Sequence, residues 1–341
     1  MSAILLRKHL TRDDSTSFIF TRLAPSTQAN LKSVLLVQLQ NETNKSIIKK
    51  ICDAVSELAA SVLPDGDWPE LIPFIFQCLV TFNDKIQESA LLILSRMSQF
   101  VGEVLIAHGD TLHEVFSKFL GSNNFDLRIA ALEATVNFIM NCLPSLGEKE
   151  RFLDLLPLMM RTLTEALNKG NESSAQEALE LLIELAATEP RFLRKQLVDV
   201  VGSMLQVAEA EGLEEGTRHL AIEFVVSLAE ARERAPGMMR KLPQFIRRLF
   251  LVLMNMLLDL EDDPMWHSAE TEDEDAGETS NYGFGQECLD RLAISLGGNT
   301  ILPVASAVFP GFLAAPEWQK HHAVLIALAQ IAEGCSKVIS I

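Results

Sequence analysis

The chain has 341 residues, 48% hydrophobic and only 6% aromatic, with 46 acidic residues against 29 Lys and Arg and a formal net charge of −17. Apolar material suffices for two ordinary domains or one repeat array, and an apolar load carried by Leu, Ala and Ile with a single Tyr favours helix over sheet. So negative a chain repels nucleic acid and acidic membranes and attracts basic partners, and no apolar run reaches the roughly 18 residues of a membrane span, which argues against nucleic-acid binding and membrane insertion.

The first ten residues, "MSAILLRKHL", are charged too early for a signal peptide and read as an amphipathic helix. It has no partner helix of its own, so it is expected to be an orphan (1–10) of a truncated repeat. A recurring pattern follows: "ICDAVSELA" at 51, "ALLILSRMS" at 90, "ALEATVNFI" at 131, "ALELLIELA" at 178, "AIEFVVSLA" at 221 and "VLIALAQIA" at 324. The first five start 39, 41, 47 and 43 residues apart. A weaker member, "LDRLAISLG" at 289, comes 68 residues after the fifth and 35 before the last.

Each motif is preceded by a second helical stretch, for example 68–80, 111–121, 151–167, 191–210, 242–260 and 300–314. Two helices per period of about 40 are the mark of HEAT or armadillo repeats. Pro73, Pro157, Pro190, Pro243 and Pro303 lie in or beside these first helices, where they would bend an outer layer over a straighter inner one. Short turns such as 64–67, 121–124, 168–174 and 210–216 separate the helices. The expectation is a single all-α array over 1–341, a right-handed α-solenoid of about seven HEAT-type pairs, monomeric and elongated. Five to six pairs fill 24–260, an acidic insertion occupies 261–286, and the last helices fill 287–341.

The insertion accounts for the 68-residue interval. Residues 261–282, "EDDPMWHSAETEDEDAGETSNY", hold nine acids and no Lys or Arg. Removing them would leave a charge of −8, so about half of the imbalance sits in one stretch. Its composition fits a solvated loop, and it also fits a surface that screens or recruits basic segments, with Trp266 able to stack on an Arg or Lys stem.

No catalytic constellation stands out, and neither an enzyme nor a cofactor is expected. "GGNT" (297–300) and "GFG" (283–285) lack the lysine and strand-turn-helix context of a phosphate loop. His321 and His322 are adjacent and point to different helix faces. His108, His113 and His267 have no partner at ligand spacing, and no EF-hand pattern is present. The five cysteines are scattered in apolar helical contexts and read as buried free thiols.

Several strings together resemble importin beta-type nuclear transport receptors: "DWPELIPFIFQCL" (67–79), "LDLLPLMMRTLTEAL" (153–167), "EPRFLRKQL" (189–197), "RHLAIEFVVSLAE" (218–230) and "PEWQKHHAVLIALAQIAEGC" (316–335). The ordered run from "DDPMWHSAETEDED" through "ECLDRLAISLGGNTILP" (262–303) is similar to the beta-3 branch, known as importin-five or karyopherin beta-3. The opening helix is similar to one well inside that family's N-terminal region, so the chain reads as an N-terminal segment lacking the first unit.

The resemblance implies a nuclear import receptor segment working in cytoplasm and nucleus. Its partners would be basic cargo proteins with nuclear localization signals, Ran-GTP and Phe-Gly nucleoporins. The residues this assigns to partners are Glu261, Asp262, Asp263, Trp266, Glu270, Glu272, Asp273, Glu274 and Asp275, together with Asp53 and Glu57 on an inner helix. Phe74, Phe76, Phe245 and Phe250 are candidates for exposed nucleoporin contacts, although core packing is the better reading of each alone. A structural HEAT scaffold, of the phosphatase-regulatory-subunit or tubulin-binding kind, is the alternative, and the 68-residue interval argues against it.

Overall fold

A computed structural model describes residues 7, 9–10, 18–231, 237–260 and 279–339. The described residues are helical throughout, joined by short turns, without a β-strand. They form helix pairs: α1 (Pro25–Asn41) with α2 (Lys45–Val62), α3 (Leu71–Leu79) with α4 (Asp84–Met97), α5 (Gly109–Leu120) with α6 (Phe125–Asn141), and α7 (Leu156–Asn168) with α8 (Glu172–Thr188). Then come α9 (Leu197–Ala208) with α10 (Glu215–Glu230), α11 (Pro243–Met256) with α12 (Ser280–Leu296), and α13 (Gly298–Leu313) with α14 (Trp318–Ile339). These seven pairs match the expected helical-repeat class.

The chain divides into two compact units, Met1–Leu181 and Leu182–Ile341. In the first, α2, α4 and α6 pack in succession as one layer, and α3, α5 and α7 pack against them from outside. In the second, α10, α12 and α14 form the inner layer, and α9, α11 and α13 the outer one. A helix held between two like neighbours and an outer helix keeps only a narrow free stripe. Every residue from Ser89 to Ser95 of α4 and from Ala134 to Ile139 of α6 is accordingly buried.

The turns show why the helices start where they do. Asn44 accepts hydrogen bonds from the Ser46 and Ile47 N–H groups, Asn83 from Lys85 and Ile86, and Asn124 from Asp126, each closing the first turn of an inner helix. Asn171 does the same for α8 through Ser174, and Thr279 for α12 through Tyr282. Gly66 and Gly170, at φ +75° and +68°, provide the left-handed residue that lets turns 64–67 and 168–174 double back. Asn83→Ala should therefore destabilise the first unit by about 1 kcal/mol in urea titration, while Asn83→Asp leaves the midpoint nearly unchanged. Equal losses from both would mean that the cap contributes nothing.

Two expectations are corrected, and the choice between surface and core for the phenylalanines is decided. Among the five prolines, Pro157 and Pro243 stand at the first or second position of a helix and Pro190 opens a 3-10 turn, where no intrahelical donor is lost. Pro73 is third in α3, and Pro303 lies inside α13 together with Pro310. A general bend of the outer helices therefore does not follow from these prolines. Phe245 and Phe250 are core residues, 9% and 0% exposed, because the α11 stripe that carries them faces the inner layer and α13. Phe250 lies 6.0 Å from the Phe309 ring. Phe74 and Phe76 are half-buried, with Phe76 edge-on to His108 at 5.4 Å. Finally, the acidic insertion is shorter at its end than 286. α12 begins at Ser280, since Thr279 caps it and Tyr282, 1% exposed, anchors its first turn in the core. Of the opening helix, Arg7, His9 and Leu10 are described as helical, with Leu10 buried, and the rest lies outside the described residues.

Candidate protein-binding face

Asp53 and Glu57 sit four residues apart on α2, so they share a face, and both are largely shielded, with side chains 23% and 20% exposed. Both carboxylates are already engaged. Arg96 of α4 forms an ion pair with Asp53 and donates to the Lys49 carbonyl at 3.2 Å. Arg7 approaches Asp53 at 3.9 Å and donates to Glu57 at 3.2 Å. Any basic partner at these two acids has to compete with Arg7 and Arg96.

Similar bonds run from helix to helix along this layer. Lys45 of α2 donates to Asp126 at 2.5 Å and lies 3.9 Å from Glu88 of α4. Ser95 of α4 donates to Glu133 of α6 at 2.9 Å and accepts from Asn137 at 3.1 Å. Burial pushes the Glu88 carboxyl above the usual carboxylate range, and the nearby Lys45 only partly offsets it.

The inner layer of the second unit holds a denser cluster. Arg291 of α12 donates to Glu223 at 2.7 Å and Glu230 at 2.8 Å, both on α10, and to Glu287 at 3.4 Å on its own helix. Its hydrogen bonds to Glu230 and then Glu223 hold the guanidinium above its ordinary value. Three carboxylates around one base leave this part of the face negative. Sequence reading missed it, although Glu287 and Arg291 at i,i+4 and Glu223 and Glu230 at i,i+7 were visible as spacings.

Of the candidate partner-binding residues, Glu261, Asp262, Asp263, Trp266, Glu270, Glu272, Asp273, Glu274 and Asp275 lie outside the described residues. The chain on either side of them is well defined. Thr279 Oγ1 donates to the Asp259 carbonyl at 2.8 Å, and Asn281 Nδ2 to the Asp259 carboxylate at 3.0 Å. His219 of α10 hydrogen-bonds Asn281 at 2.8 Å and stacks on Phe284 with ring centroids 4.1 Å apart, while Ser280 donates to Glu215. Both flanks of the acidic stretch are thereby fastened at the start of α10 and α12, beside the inner layer.

The chemistry of the remaining reactive groups is quiet. Among the described residues no group of three or more His, Cys, Asp or Glu is placed to hold a metal ion. His321 lies 2.8 Å from the Ala315 carbonyl and His322 2.9 Å from the Tyr282 hydroxyl, so the adjacent pair does not converge. All five cysteines are free and buried. Burial pushes Cys52 and Cys288 up to about 12, and Cys78 and Cys142 up to about 11, which suppresses the reactive thiolate at neutral pH. Ellman's reagent should therefore label essentially no thiol in the native protein and all five in denaturant; rapid native labelling of any one would contradict its placement.

Comparison with known proteins bears on what this face serves. Residues 43–203 match the family model described as "IPO5-like, TPR repeats", and residues 210–303 the model described as "Importin repeat". Importin subunit beta-3 of Saccharomyces cerevisiae is 26% identical over 99% of this chain, and a probable importin-5 homolog of Dictyostelium discoideum is 26% identical over 98%. The chain spans 31% of the length of each. A crystal structure of Kap121p bound to Pho4p matches with a TM-score of 0.83 at 26% identity, covering 99% of this chain and 32% of Kap121p. One of Kap121p bound to RanGTP matches at 0.80 and 25% identity, covering 99% and 33%. With stacked helix pairs, importin-type repeats along most of their length and a Kap121p-like fold over nearly all of it, the chain belongs to the importin beta family, in the branch of importin subunit beta-3 and importin-5.

Proposed function

We propose that the chain is a segment of a nuclear import receptor that binds basic cargo bearing nuclear localization signals, Ran-GTP and Phe-Gly nucleoporins while moving between cytoplasm and nucleus. The observation that carries this reading is the match to Kap121p over 99% of the chain at a TM-score of 0.83, that protein having been crystallised with Pho4p, Ste12p, Nup53p and RanGTP. The charge of the molecule agrees with it. The carboxylates around Arg291 put negative potential on the inner layer of the second unit, where a Lys- or Arg-rich segment would be attracted, and the nine acids of residues 261–282 add to the negative charge of the chain. Trp266 offers an aromatic face for a cationic side chain. For nucleoporin contacts, Val80 and Phe82, exposed just after α3, replace the buried Phe245 and Phe250 as candidates.

The test replaces Glu270, Glu272, Asp273, Glu274 and Asp275 with Ser and measures affinity for a Lys-rich peptide at low and physiological salt. Attraction of this kind is screened over about 8 Å at physiological ionic strength. The parent should bind several-fold more tightly at low salt, and the variant should lose most of that difference. Equal affinity and equal salt dependence would reduce the stretch to a solubilising linker. Binding of Ran loaded with GTP but not GDP to the same chain tests the remaining partner.

A further inference from the structure

We propose that the second unit binds a short acidic polypeptide segment along the edge where α9, α11 and α13 begin, at a cavity between Arg240 and Lys337. The cavity measures about 430 Å³ and its lining includes Arg240, Gly297, Asn299, Thr300, Ser336 and Lys337. Arg240 Nε donates to the Leu296 carbonyl at 3.1 Å, which fixes the guanidinium at the rim. Among the described residues, neither Arg240 nor Lys337 has a carboxylate within 4.0 Å. Glu333 also lines the cavity, and the two bases outweigh it.

They belong to a larger pattern. Residues 190–198 hold Arg191, Arg194 and Lys195, and residues 237–258 hold Arg240, Lys241, Arg247 and Arg248, with no acid in either stretch. The two stretches open adjacent outer helices that run in the same direction. A Cβ on Gly202 of α9 would lie 3.7 Å from the Phe245 ring near the start of α11, and Glu209, further along, takes a hydrogen bond from Arg248 at 3.0 Å. Arg194 comes just before α9, and Arg240 and Lys241 just before α11, so three exposed bases precede the starts of these two parallel helices. The opposite ends of the same helices carry Glu209, Glu211, Glu214, Glu215 and Asp259. Bases thus outnumber acids at the edge where these helices begin, although Glu189, Asp199 and Glu333 also stand there. The "GGNT" turn at 297–300 has no lysine of its own, and the fold brings Arg240 and Lys337 to it from other elements.

A peptide suits this edge better than a nucleic acid. The molecule as a whole repels a long polyanion, whereas screening over about 8 Å lets a segment of a few carboxylates respond to the local basic edge alone. The cavity gives one carboxylate a place between two cations, and exposed Arg194 and Lys241 meet those that follow.

The experiment is fluorescence anisotropy of a labelled Asp/Glu-rich peptide with the whole chain, against the double variant Arg194→Glu/Lys337→Glu. Both side chains are exposed and outside the core, so the fold should persist, and circular dichroism checks that. Salt-sensitive binding to the parent, weakened about tenfold or more in the variant as expected for losing charge-assisted contacts, supports the site. Affinity for a Lys-rich peptide should not fall in that variant, which separates this result from the transport reading. Absence of acidic-peptide binding, or binding unchanged by the double substitution, overturns the proposal. Tighter binding of an oligonucleotide of equal charge overturns the choice of a peptide. A dimer that the same substitutions dissociate would assign the edge to a second copy and overturn it as well.

Discussion

Gly334→Ala should destabilise the second unit by about 3 kcal/mol, at the upper end of the usual cost of overpacking. α14 crosses α12 so closely at this point that an added Cβ would sit 2.5 Å from the Ile294 nitrogen, and closer still to the Ala293 carbonyl group. These are backbone atoms and cannot swing aside as a side-chain tip can, so the two inner helices would have to separate. The gain in helix propensity on replacing glycine, about 1 kcal/mol, opposes the loss without cancelling it. Gly311 of α13 provides the control: an added methyl group there would meet nothing within 4 Å, so Gly311→Ala should be neutral or stabilising. Urea denaturation of both variants decides the matter, and equal midpoints would mean that the α12–α14 approach is looser than described.

Phe250→Ala should cost about 4 kcal/mol, the range for a fully buried phenylalanine. The side chain is 0% exposed and packs on Phe309, so its removal opens a void between α11 and α13. Phe82, exposed to solvent after α3, is the counterpart: Phe82→Ala should change stability by no more than about 0.5 kcal/mol. Partner binding should respond the other way round. If nucleoporin-type peptides use this surface, Phe82→Ala weakens binding in a stable protein, whereas Phe250→Ala affects it only through unfolding. Similar unfolding midpoints for the two variants would be incompatible with the packing of α11.

Helical repetition was legible because its cause is local. An apolar stripe every three to four residues, small residues at 90, 131, 178 and 221, and Asn or Gly at the turns all act within a few residues of themselves. The errors arose where the relevant partner lies far along the chain. Phe245 and Phe250 stayed open as outward candidates beside the better reading of core packing because nothing near them in sequence names the helix that covers them, and Phe309 is 59 residues from Phe250. Asp53 and Glu57 read as free acids because Arg96 and Arg7 lie more than forty residues away. The same distance hid the Arg291 cluster, whose acids on α10 are 61 and 68 residues earlier. The family-bearing strings from 262 to 303 were legible for another reason, since they are defined by order along the chain and need no tertiary partner.

The bonds from Thr279 and Asn281 to Asp259 have a consequence for how this protein tolerates change. They join residue 259 directly to residues 279 and 281, which ties the end of α11 to the start of α12. With those ends fixed, changing the number of residues that connect them alters the closure entropy by only about 0.6 kcal/mol for each doubling of length. Insertions or charge changes between 260 and 279 should therefore leave the helix pairs standing, and a property encoded there can be retuned without redesigning the scaffold. Position 259 lacks that freedom: an apolar residue there would remove the acceptor for Asn281, and variation in the stretch would then reach the helices.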